Sequence, residues 1–132
     1  MSPETVTIPG LPDFVSIARK AARSYFADAG ESVREDAELV TSEFATNAVL
    51  WSRSGLPGGR FELTFTLDAE AQSGRIEVTT EGPLPKDPGE TREDPGELPV
   101  HGRGLEIVDR LAKEWGHSGG LDAETYWAVL TW

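Results

Sequence analysis

Asp36-Ala37-Glu38-Leu39-Val40-Thr41-Ser42-Glu43-Phe44-Ala45-Thr46-Asn47-Ala48-Val49 lies within the longest helical pattern of the chain. Ser32 opens that pattern, with Glu35 three residues on as a capping box. Its apolar stripe runs through Val33, Ala37, Val40, Phe44, Ala48 and Trp51, a spacing that keeps one face inward. The run Gly55-Leu56-Pro57-Gly58-Gly59 stops it. Before it, Asp13 caps a helix predicted to run to about Ala27, with Val15, Ala18, Ala22 and Phe26 inward, widened by Ala21 and Tyr25. Gly30 separates the two. After it, Phe61, Leu63, Phe65 and Leu67 alternate with polar residues, and Ile76 and Val78 do so beyond a turn at Ser73-Gly74; a period of two marks strands. Thr5-Val6-Thr7-Ile8 is a short extended segment able to pair at a sheet edge or in a dimer; the alternative is a frayed tail. Leu105, Val108, Leu111 and Ala112 predict a third helix from Leu105 to about Trp115, ended by Gly116, and Tyr126 to Trp132 a closing strand that a strand around His117 pairs with. Helices then cover one side of a mixed, mostly antiparallel sheet, an α/β two-layer sandwich in a single domain over 1–132.

Composition bounds the function. With 132 residues and 38% hydrophobic, the chain has one ordinary core. It lacks cysteine, which removes disulfides and thiolate metal sites and favours a cytoplasmic location. No apolar run approaches the ~20 residues that span a bilayer, and the N-terminus does not read as a signal segment. Acidic residues outnumber basic ones 23 to 12, for a net charge of −11. That field repels nucleic acid and suits a basic protein partner, while leaving room for a small anion held by local N–H groups.

Two features carry chemistry. Glu43 and Asn47 stand four residues apart on one helix and share a face beside the apolar stripe. An asparagine oxygen is a good neutral Mg²⁺ ligand beside phosphates, and a carboxylate one turn earlier can orient or deprotonate a nucleophile. The alternative is a pair of solvated residues on a helix rim. Gly102-Arg103-Gly104-Leu105 opens the third helix, where small residues let backbone N–H groups approach an anion; the alternative is a hinge. It is neither a Walker motif nor a dinucleotide fingerprint. Between Gly82 and Val100 lie Pro83, Pro85, Pro88, Pro95 and Pro99 among acidic residues; 82–101 reads as a flexible acidic lid-like loop. His101 either donates to a phosphate or simply ends that loop, and His117 shows no sign of a metal site.

The stretch from Asp36 to Val49 resembles the asparagine box of the GHKL (Bergerat) ATPase superfamily. His101-Gly102-Arg103-Gly104-Leu105-Glu106-Ile107-Val108-Asp109-Arg110-Leu111-Ala112 is similar to its second glycine box, and Trp115-Gly116 and Thr125-Tyr126-Trp127 match its closing elements. Within the superfamily the chain looks most like the anti-sigma-factor serine kinases of the RsbW and SpoIIAB type, in the stand-alone form common in actinomycetes. The resemblance implies ATP and Mg²⁺ as cofactors, Glu43 as general base and Asn47 as metal ligand. Gly102, Arg103, Gly104 and Leu105 would flank the triphosphate, and Thr125 would support the adenine end. It implies a sigma factor or a STAS-domain anti-anti-sigma protein as partner, phosphoryl transfer to a serine of the latter, and a homodimer.

One departure stands out. Val78-Thr79-Thr80-Glu81-Gly82-Pro83 occupies the first glycine box, with Gly82 at its glycine and Thr80 where the family has an aspartate that reads the adenine amino group. Losing a charged acceptor costs about 1–3 kcal/mol unless another group replaces it. Glu81 is the obvious substitute, provided a one-residue bulge turns it onto Thr80's face. The departed box also admits a non-catalytic relative that regulates by protein–protein binding alone.

Overall fold

In the computed structural model, residues 3–84 and 104–132 are described. Most of the acidic loop, together with His101, Gly102 and Arg103, lies outside them. Five strands form one sheet: β1 (Glu4–Pro9), β2 (Arg60–Asp68), β3 (Ser73–Thr80), β4 (Glu114–Gly119) and β5 (Glu124–Thr131), in the order β1-β2-β3-β5-β4. Each of the four pairings is antiparallel. Thr5 to Ile8 therefore sits at a sheet edge rather than in a frayed tail, and His117 lies in the strand that pairs with the closing one, as expected.

Side chains alternate cleanly across the sheet. Phe61, Leu63 and Phe65 of β2, Ile76 and Val78 of β3, and Tyr126, Ala128 and Leu130 of β5 are buried on one face. The opposite face is a polar ladder. Thr5 bonds Thr64 at 2.9 Å, Thr79 bonds Thr125 at 2.9 Å, and the Arg75 guanidinium lies 4.4 Å from the Trp127 ring. An antiparallel sheet with one wet face gives this pattern.

Three helices cover the buried face: α1 (Val15–Tyr25), α2 (Glu31–Trp51) and α3 (Gly104–Leu111). The central helix, α2, buries Ala37, Val40, Phe44, Ala45 and Ala48 in the common core. Full burial of a phenylalanine such as Phe44 contributes roughly 1.5–3 kcal/mol. Phe26 closes one end of the core, edge-on to Phe65 at 6.2 Å and to Trp132 at 6.0 Å. Arg23 of α1 ties the two long helices together, bonding Glu31 at 2.7 Å and Glu38 at 2.9 Å.

Four expectations are corrected. The first long helix begins at Val15, after a single 3-10 turn over Pro12–Phe14. Helix α2 starts at Glu31 behind Gly30 (φ 97°), and no side chain caps it; Ser32 is already inside the first turn, so the capping box does not form. Trp51 is 44% exposed, because the core along α2 ends at Ala48. The third helix stops at Leu111, and Trp115 and Gly116 belong to β4. Gly116 faces Trp127 across the ladder, where a Cβ would come within 2.9 Å of the indole. That glycine makes room for an aromatic neighbour on a strand. Among the described residues, no helix is long and apolar enough to cross a membrane.

Candidate functional site

Asn47 is buried, at 7% exposure, on the side of α2 that faces the core. Its Nδ2 has no hydrogen-bond partner among the described residues. An orphaned buried donor costs about 1–3 kcal/mol, so such an amide is a group waiting for a ligand. Thr41, higher on the same helix, also has a buried hydroxyl without a partner; a hydroxyl turns freely, whereas an amide's donors and acceptor are fixed in one plane. Glu43, one turn before Asn47, is half-buried and makes no hydrogen bond or ion pair among the described residues. The two are brought together at the helix–sheet boundary, Asn47 deeper than its place beside the stripe implies.

The end of β3 forms the facing wall. Thr80 is its last residue, 3% exposed and on the helix-facing side with Ile76 and Val78. Its Oγ1 accepts a hydrogen bond from the Gly82 N–H at 3.2 Å. Gly82 turns the chain with φ 97°, and a Cβ there would lie 2.2 Å from the Leu121 carbonyl oxygen; only glycine fits that position. The ladder is regular up to the pair Thr80–Glu124. No bulge turns Glu81 inward, and its side chain is exposed. Glu81 therefore does not replace the missing aspartate on Thr80's face.

A network absent from the sequence reading fastens this wall to α2. Ser52 Oγ donates to the Ala48 carbonyl at 2.6 Å and accepts from the Ser54 N–H at 3.0 Å. Ser54 Oγ in turn accepts from the Glu81 N–H at 3.0 Å. Arg53 donates its backbone N–H to Gly82 O at 2.9 Å and its Nε to Pro83 O at 3.1 Å. The asparagine helix and the departed glycine box are thus joined by hydrogen bonds. The only advance signal is two serines and an arginine at a helix end, which any cap would share.

The remaining candidates are spread out. Leu105 packs in the core at 6% exposure and Gly104 is the first residue of α3. Thr125 lies on the helix-free face, bonded to Thr79, on the other side of the sheet from Thr80 and Asn47. His117 stacks on Tyr126 at 5.6 Å. At that end of the sheet, Phe61, Glu62, Thr79, Thr80, Glu81 and Asp122 help line a cleft of about 360 Å³ whose lining includes none of Glu43, Asn47 and Glu124. The one carboxylate directly opposite Thr80, on the same face, is Glu124; its Oε2 accepts from the Tyr126 hydroxyl at 3.2 Å. Among the described residues no three His, Asp or Glu side chains converge as a metal site. The unpartnered Nδ2 of Asn47 suits an acceptor such as a phosphate oxygen, and Oδ1 is the atom of that amide able to serve as a single protein ligand to a cation whose other ligands are phosphate and water oxygens, the usual mode for Mg²⁺.

The profile of the histidine kinase-like ATPase domain matches residues 8–127. Among solved structures, the chain resembles the crystal structure of the RsbU and RsbW domains of Rv1364c from Mycobacterium tuberculosis, with a TM-score of 0.70 at 18% identity. The likeness covers 99% of this chain and 32% of that one, so this chain spans about a third of its length. No curated protein matches.

Proposed function

The chain belongs to the histidine kinase-like ATPase domain family, and from that premise we propose that it is an ATP-binding regulator of the anti-sigma-factor type. In this reading it transfers the γ-phosphoryl group of ATP to a serine of a STAS-domain partner. The observation that carries the proposal is Asn47, buried with an Nδ2 donor that has no partner among the described residues, with the Glu43 carboxylate one turn away. Asn47 would hold Mg²⁺ through Oδ1. The metal, when bound, neutralises charge on the phosphates. Glu43 would orient the serine hydroxyl and accept its proton as the serine oxygen bonds to phosphorus and the bond to ADP breaks. Gly102, Arg103, Gly104 and Leu105 would flank the phosphates at the start of α3. Thr80 and Gly82 would border the base, with Thr125 supporting that end of the sheet through Thr79. A sigma factor and a second copy of the chain are the further partners in this reading, in the cytoplasm. The likeness in fold to an RsbW-containing structure supports it.

A second reading rests on Thr80. With no aspartate at that position and Glu81 exposed, the chain acts by protein–protein binding alone and leaves ATP unhydrolysed. Calorimetry with ATP and Mg²⁺, followed by phosphoryl transfer to the cognate STAS protein, separates the two. Micromolar ATP binding with turnover supports the kinase. Binding without turnover supports a non-catalytic ATP-binding regulator, and no binding leaves the partner-binding reading.

A further inference from the structure

The end of β3 lacks a carboxylate in its own sequence, but the sheet brings one to it. Glu124 sits directly across from Thr80, so the two side chains leave the same face with Cβ atoms about 4.5–5.5 Å apart. That Glu124 points to the helix side is fixed independently by its bond to Tyr126, which is 5% exposed and packs against Phe44 at 5.8 Å. Phe44 is three residues before Asn47 on α2. The tyrosine that bonds the carboxylate therefore packs against the helix that carries the metal-ligand candidate.

Hydrogen-bonding capacity divides the work between the pair. Thr80 Oγ1 already accepts from Gly82, which leaves its proton free to donate. Glu124 uses Oε2 for Tyr126 and has no other hydrogen bond or ion pair among the described residues, so Oε1 is left to accept. One donor beside one acceptor complements the N1 acceptor and 6-amino donor on the edge of adenine. The pairing also accounts for the threonine: carboxylates directly opposite each other on one face repel, so a chain with Glu124 is better served by a neutral residue at position 80.

We propose that Glu124, from the neighbouring strand, is the residue that reads the adenine amino group, with Thr80 donating to N1. This rests on the ATP-binding reading above. The test is calorimetry on the full chain with Mg²⁺, comparing ATP, GTP and purine riboside triphosphate, which lacks only the 6-amino group. The native chain should bind ATP about 10- to 100-fold more tightly than the amine-free analogue, the range for a hydrogen bond to a charged group. Glu124→Ala should lower ATP affinity to the level of the analogue and leave the analogue unchanged. The exchange variant Thr80→Asp with Glu124→Thr should restore discrimination, whereas Thr80→Asp alone should bind and fold less well. Tyr126→Phe, which frees the carboxylate without removing it, should lose only part of the discrimination. A Glu124→Ala protein that still prefers ATP, a native chain that binds ATP and its analogue equally, or one that prefers GTP would each overturn the assignment and leave nucleotide binding standing. A native chain that binds no triphosphate would overturn both. If Glu124→Ala does not fold, the native comparison and the exchange variant decide.

Discussion

Asn47 is the residue at which stability and function oppose each other. Its Nδ2 is buried without a partner among the described residues. Leucine has the same branched heavy-atom skeleton and no polar atoms. Asn47→Leu should therefore raise the unfolding free energy of the nucleotide-free protein by about 1 kcal/mol, while Mg²⁺-dependent ATP binding falls at least tenfold. Urea unfolding and calorimetry on the same preparation check both halves; a destabilised variant would overturn the first. The sequence announces Asn47 through its spacing from Glu43. It does not announce Glu124. A carboxylate two residues before a tyrosine is ordinary on a strand, and its meaning depends on which residue of another strand stands opposite. Register between strands separated by a helix and a long loop cannot be read from periodicity alone.

At the scale of elements, the legible parts are those with a strong period. The α2 stripe and the alternation of β2 and β3 lead to the right layers because burial repeats at 3.6 and at 2. The pattern fails where a run ends. The Leu105 helix is extended through Trp115 because its apolar spacing has no early breaker, and Gly116 looks like a stop, although it serves to admit Trp127. The serine staple is similarly hidden, and its energetics are testable. Ser54 is fully buried and its hydroxyl receives the Glu81 N–H. Ser54→Ala should cost about 1–3 kcal/mol in urea unfolding, since that amide loses its partner, and should weaken ATP binding by loosening Thr80 and Gly82. Ionic pairing between α1 and α2 sets a pH dependence. The Arg23 guanidinium, through its hydrogen bond, holds the Glu31 carboxyl below its ordinary value near 4.5. A depressed carboxyl favours the fold above its unfolded value, and the benefit is lost as pH falls through the folded value. Asp36 runs the other way: burial pushes its carboxyl up, so the cost of ionising it is relieved as pH falls. Glu31→Gln should therefore lose less stability than the native chain between pH 7 and about pH 3, as read from urea midpoints.

The whole molecule is a two-layer domain whose candidate site lies between the layers, with Asn47 on a helix and Thr80 and Glu124 on the sheet. A ligand spanning both layers binds the folded chain and has no site on the unfolded one. Its affinity must then appear as stability: at a free concentration of about 100 times Kd it adds about 2.7 kcal/mol, which for a domain of this size is an upward shift of roughly 10 °C in Tm. ATP with Mg²⁺ should produce that shift, and chelation of the metal should remove most of it. The net charge of −11 adds a second signature. ATP is itself an anion, so long-range repulsion opposes its approach, and screening weakens that repulsion as the Debye length shortens from about 30 Å at 0.01 M salt to about 8 Å at 0.15 M. The ATP-induced shift should therefore grow between those two salt concentrations. A phosphate site on a basic surface would show the reverse. Thermal melts at the two ionic strengths, each with and without ATP and Mg²⁺, distinguish a locally built cradle inside an acidic molecule from loose attraction to surface cations; a shift that vanishes at 0.15 M salt would favour the latter.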